Sequence, residues 1–247
     1  MPRNVRQVDL GGRSFLRGML AMDFRFRPGL HFCMIEGRTI FLDEGTSRFF
    51  CIPVDVDRAF QRLILAEGLH SEGANDVLIA DLVALSIVDG ENIGKKGLSR
   101  PAPVVEPKDD LNRYSAYDAP AFEIAAALFE RLRSKRIVAR QAIADVRRLI
   151  EQERLAFAHR LGASVSSSIQ TVSAAFEVSD FVFGRNDRCL PRAIAMIRRC
   201  LRAGHSPSLV LGVRVNPFAA HCWVQQGATV IGDSIDVTRI YTPICVL

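Results

Sequence analysis

Three side chains in the last quarter of the chain are the right types for acyl chemistry: Cys189 in "RCLPRAIAMIRRCLRAG", His221 in "PFAAHCWVQQG" and Asp233 in "ATVIGD". A cysteine attacks a carbonyl as its thiolate, an imidazole beside it accepts and returns the proton, and a carboxylate holds that imidazole in one tautomer. His221 also has a cysteine next to it, Cys222. Successive side chains on a strand point to opposite faces, so Cys222 is expected to turn away with Val224, while His221 shares a face with Trp223 and Gln225.

The elements that must position these residues follow from pattern. Leu190, Ala193, Ile194, Ile197, Cys200 and Leu201 recur at helical spacing, Pro191 suits a first turn and Gly204 a stop, which puts Cys189 at the N-terminus of a helix. Unpaired backbone N–H groups there favour a thiolate. Arg192, Arg198, Arg199 and Arg202 fall on the other side, as a solvated face would. Three strands follow, at 208–215, 220–225 and 228–233. A three-residue loop around Gly227 sets Asp233 opposite His221, whereas a two-residue loop sets Gly232 there; the first register supplies the orienting carboxylate. Asp236 points to the other face of a regular strand. The backbone N–H of Cys189 is the first candidate for stabilising an oxyanion and Asn186 a second, although Asn186 also suits a helix cap. Trp223 is a core residue or a wall of the site.

The rest of the chain supports an α+β protein of 247 residues. Strands are expected at 30–36 and 38–43, joined at Glu36-Gly37, and around "RFFCIP". Helices follow from "DVDRAFQRLILAEG" and from Asn75 onward. Residues 90–112 carry glycines, prolines and acidic residues with no hydrophobic period, so the chain divides into a module at 1–90, a linker at 91–115 and a larger domain at 116–247. Helical patterns run from 119 to about 161 and from 171 to 183. The charge of +5 and pI near 9.1 come from arginines spread over helices with acidic residues interleaved in two of them, which reads as solvated helix faces and not a nucleic-acid surface. No apolar run reaches the length of a bilayer span or a signal peptide, so no membrane partner and a cytoplasmic location are expected. Six cysteines without a C-x-x-C pair read as reduced thiols. The spacing of Cys189, Cys200, His221 and Cys222 does not suit structural zinc, and no P-loop is present; no metal or cofactor is expected.

The stretch "CLPRAIAMIRRCLRAGHSPSLVLGVRVNPFAAHCWVQQGATVIGD" closely resembles the core of lasso peptide leader peptidases, transglutaminase-like cysteine proteases, over roughly residues 183–247. "TIFLDEGTSRFFCIP" is similar, less specifically, to the PqqD-like peptide recognition element of winged-helix type that some of these enzymes carry. The resemblance implies a helix-rich transglutaminase- or papain-like domain with an antiparallel sheet, and Cys189, His221 and Asp233 as nucleophile, base and orienting group. It further implies leader contact at Phe49, Phe50 and Ile52, a precursor peptide as substrate and an asparagine-synthetase-like lasso cyclase as partner. Two alternatives stay open: the same three residues transferring an acyl group to an amine, or a leader-binding scaffold without catalysis.

Overall fold

The structure is a computed structural model that describes residues 25–65, 76–89, 104–111, 119–158, 166–184 and 189–247. Asn186 lies outside the described residues. Packing divides the chain into two compact units: residues 1–28 with 52–100, and residues 29–51 with 101–247. This division differs from the one read from the linker at 91–115. Strands expected to belong with the helices at 54–84 pack instead with the later unit, because Cys33, Ile40 and Leu42 join its main apolar cluster. Alternation along a strand shows which side chains are buried, but not which element covers them.

In the first unit, β1 (Arg25–Phe26) pairs antiparallel with β5 (Val88–Asp89). Helices α1 (Val54–Leu65) and α2 (Asp76–Ala84) lie between them in sequence. Val56, Phe60 and Leu63 recur at three and four residues and bury one stripe of α1. The Phe60 ring meets Phe26 at 5.4 Å.

The second unit opens with the antiparallel sheet β2 (Leu30–Ile35), β3 (Arg38–Asp43) and β4 (Arg48–Phe50), with β3 central. The tight turn at Glu36-Gly37 requires left-handed backbone, and both residues adopt it, with φ of 49° and 75°. Helices α3 (Ala121–Val138), α4 (Ile143–Ala158) and α5 (Ile169–Phe183) surround α6 (Cys189–Ala203). A five-stranded mixed sheet carries the order β10-β7-β8-β9-β6, formed by β7 (Ser208–Arg214), β8 (Ala219–Gln226), β9 (Thr229–Ile231), β10 (Thr242–Val246) and the short β6 (Asp109–Asp110). A one-turn helix, α7 (Ile235–Thr238), sits between β9 and β10. Neither α7 nor β10 is signalled by hydrophobic period, both being too short to show one. β6 falls inside the expected linker, where it pairs parallel with β9.

Helix α6 is buried on more than its apolar stripe. Ala193, Ile194, Met196, Ile197 and Cys200 join the main cluster, yet Arg192 and Arg198 are buried too. The expected solvated arginine face is therefore corrected. Arg198 pairs with Glu130 of α3 at 3.1 Å and Glu153 of α4 at 2.7 Å, Arg199 pairs with the fully buried Glu123, and Arg202 with Glu130 and Glu153. A buried charge persists only when paired, so the arginines fix how α6 is oriented among its neighbours.

Candidate active site

The start of α6, the middle of β8 and the end of β9 converge on a cavity of about 500 Å3 lined by Cys189, His221, Cys222, Trp223, Asp233 and Tyr241, among others. His221 Nε2 and Asp233 Oδ2 are 2.7 Å apart. That contact occupies one ring nitrogen and leaves Nδ1 for Cys189, to which His221 is also hydrogen-bonded. The other oxygen of Asp233 accepts the N–H of Ser234 at 2.8 Å.

The contact forms in neither expected register. Gln226 pairs with Thr229, so the loop is the two residues Gly227-Ala228, and a continued ladder would set Ser234 opposite His221. Instead β9 stops at Ile231, and Gly232 takes φ of +64°, a conformation costly to any residue with a Cβ. The chain leaves the sheet there and delivers Asp233 to the imidazole. Asp236 lies beyond, in α7, with its N–H bonded to Ser234 Oγ.

Cys189 begins α6 and is partly exposed. Its thiol is held far below the ordinary value of 9, at about 4. The Cys222 thiol, donating to the Cys189 sulfur, is the largest cause; hydrogen bonding and charge from His221 and the Cys222 backbone N–H add to it, against the opposing effect of burial. His221 is raised from 6.5 to about 9: burial lowers it, but the hydrogen bonds to Asp233 and Cys189 and their negative charges outweigh that. Between these two values Cys189 and His221 form a thiolate–imidazolium pair.

The structure gives Cys222 more than the buried-thiol role expected of it. Alternation holds, since Cys222 and Val224 enter the main cluster under α6 while Trp223 packs with Val210 and Val230 on the other face. Cys189, at the helix start, is nevertheless reached by both His221 and Cys222. Hydrogen bonding to Cys189 and burial raise Cys222 well above 9, so it stays a thiol and a donor.

Trp223 and Tyr241 flank the imidazole, with ring centroids at 6.2 and 5.1 Å. The Trp223 indole N–H donates to Gln225 Oε1 at 3.1 Å. Gln225 Nε2 in turn donates to the carbonyls of Val105 and Gly227, both at 2.6 Å. Gly212, opposite His221 in the β7–β8 ladder, makes room for this wall: a Cβ there would lie 2.8 Å from the Trp223 ring and 3.0 Å from Tyr241 Cβ. Gly212 and Tyr241 were not among the expected site residues. A glycine inside a strand pattern is a sign of close approach and marks the first; nothing local marks the second.

Of the residues linked to peptide contact, Phe49 and Phe50 lie on β4. Phe49 meets Phe218 at 5.8 Å, and Phe50 stacks on Phe41 at 5.2 Å. Ile52 is buried and belongs to the first unit. His31, Glu44 and Cys245 bring three potential metal ligands within 4.8 Å. Arg147 already donates to Glu44 and, at 3.2 Å, to Cys245, which makes the group a buried ion pair with its cation supplied by the chain.

The chain matches the profile of the transglutaminase-like superfamily over residues 121–246, a span that includes Cys189, His221 and Asp233. No curated protein and no solved structure matches it.

Proposed function

Because the chain belongs to the transglutaminase-like superfamily, we propose that it is a cysteine peptidase that removes the leader from a ribosomally made lasso precursor peptide. One observation carries the reading: a low-pKa cysteine at a helix start, hydrogen-bonded to a histidine whose far nitrogen meets a carboxylate at 2.7 Å, inside an open cavity. The peptide class comes from the motif resemblance over residues 183–247.

In this mechanism the Cys189 thiolate attacks the carbonyl at the leader–core junction. The backbone N–H of Cys189, in the first turn of α6, is the proposed donor to the oxyanion, with Asn186 as the proposed second donor. The His221 imidazolium gives its Nδ1 proton to the departing core amine, and a thioester to the leader remains. Water then attacks the thioester while neutral His221 takes its proton, the C–S bond breaks to return the Cys189 thiolate and release the leader as its acid, and Asp233 holds the ring throughout. Phe49 and Phe50, on β4, are proposed to meet the leader, and residues 121–246, the span of the superfamily match, to cleave it. The freed amine passes to an asparagine-synthetase-like cyclase.

The test incubates the protein with a precursor peptide, with and without that cyclase, and reads products by mass spectrometry. Leader released as a free acid by wild type but not by Cys189→Ala supports the peptidase. Leader recovered as an amide of an added amine assigns acyl transfer instead. Cleavage that survives Cys189→Ala rejects the nucleophile.

A further inference from the structure

We infer that Arg192 is a positioning residue of this site, a clamp that holds the main chain before Asp233 against the helix that carries Cys189. The inference rests on the reading of Cys189, His221 and Asp233 as the reacting set. Because β9 ends at Ile231 and Gly232 turns out of the ladder, sheet hydrogen bonds do not extend to the carboxylate. Arg192 Nη1 donates to the Gly232 carbonyl at 2.7 Å, one peptide from Asp233. Arg192 lies three residues after the nucleophile, so α6 carries both the thiol and the tie to the orienting group.

The clamp is itself anchored. Its Nε and Nη2 each lie 3.0 Å from a different oxygen of Asp180 on α5, a two-pronged grip that suits a guanidinium and not an ammonium. Arg131 of α3 also pairs with Asp180 and donates to the Gly184 carbonyl at 2.7 Å. Asp180 thus fixes the Arg192 guanidinium in place, and the contact by which Arg192 reaches Asp233 is the one to the Gly232 carbonyl. The packing around it is close: a Cβ on Gly232 would fall 2.3 Å from Met196 Cε and 3.4 Å from Arg192 Nη1. Catalytic constellations tolerate displacements of only about 0.5 Å, and about 1 Å costs on the order of 100-fold in rate.

The experiment measures iodoacetamide alkylation of Cys189 across pH, read on the Cys189 peptide by mass spectrometry, beside kcat and KM for leader removal. In Arg192→Ala and Arg192→Lys the alkylation midpoint should rise, and kcat should fall by about 10- to 100-fold with KM changed less than about 2-fold. Asp180→Asn, which leaves Arg192 in place with a weaker anchor, should give a smaller change in the same direction and serves if the Arg192 variants do not fold. Arg192→Ala added to Asp233→Asn should cost nothing further, because Arg192 acts through Asp233. Lower melting temperature with wild-type midpoint and kcat, or additive losses in the double variant, overturns the clamp alone. A wild-type midpoint near that of free cysteine would instead overturn the nucleophile on which the clamp depends.

Discussion

At the site, two residues set the working pH window. Cys189 is lowered to about 4, so its thiolate exists above that pH, and His221 is raised to about 9, so its imidazolium exists below that one. The proposed leader removal, measured against pH, should therefore rise through about 4 and fall through about 9. Cys222→Ala removes the thiol that donates to Cys189, leaves its charge less stabilised, and should move the acid limb upward. Asp233→Asn removes the carboxylate from His221, should move the alkaline limb downward, and should lower kcat by about 100- to 10,000-fold. Cys189, His221 and Asp233 could be singled out in the sequence because few residue types can do this chemistry, and the structure brings the three to one cavity. The part played by Cys222 was not, because alternation says which face a side chain occupies and not that one sulfur at a helix start can be reached from both.

Secondary structure was legible where a hydrophobic period ran long enough, as in α6, β7 and β8. The β8–β9 register was not, because it depends on which residues form the turn, and the contact it had to explain forms only after β9 has ended. The arginines of α6 were misread for a different reason: a charged stripe looks the same in sequence whether it faces water or carboxylates on α3 and α4. Arg198 is fully buried between Glu130 and Glu153. Arg198→Ala leaves both carboxylates short of a partner and should destabilise the protein by about 3–5 kcal/mol in denaturant unfolding. In β7, Gly212→Ala forces its methyl against Trp223 and Tyr241. It should cost about 1–3 kcal/mol and lower the proposed leader removal beyond that loss of stability, as the wall around His221 shifts.

Across the whole molecule, the division into two units was the least legible feature, since composition marks where a chain is punctuated and packing decides which parts adhere. The ion pair that joins β2, α4 and β10 illustrates this. Glu44 accepts from His31 at 2.7 Å and from Arg147 and Cys245, contacts spread over more than two hundred residues of sequence. Burial raises the Glu44 carboxyl, but the hydrogen bonds and positive charge of His31 and Arg147 bring it down from 4.5 to about 2. Its contribution to stability is therefore full above 4.5 and disappears as pH falls through about 2. Glu44→Gln should lower the melting temperature at pH 7 and flatten its dependence on pH over that interval, as calorimetry can show. Trp223 is the only tryptophan in the chain, and its ring lies nearly parallel to His221, at 20°. All indole fluorescence of the protein thus originates beside one imidazole, which quenches more strongly when protonated. Emission should brighten as pH rises through about 9 and lose that step in His221→Ala, giving an optical readout of the site that needs neither label nor substrate.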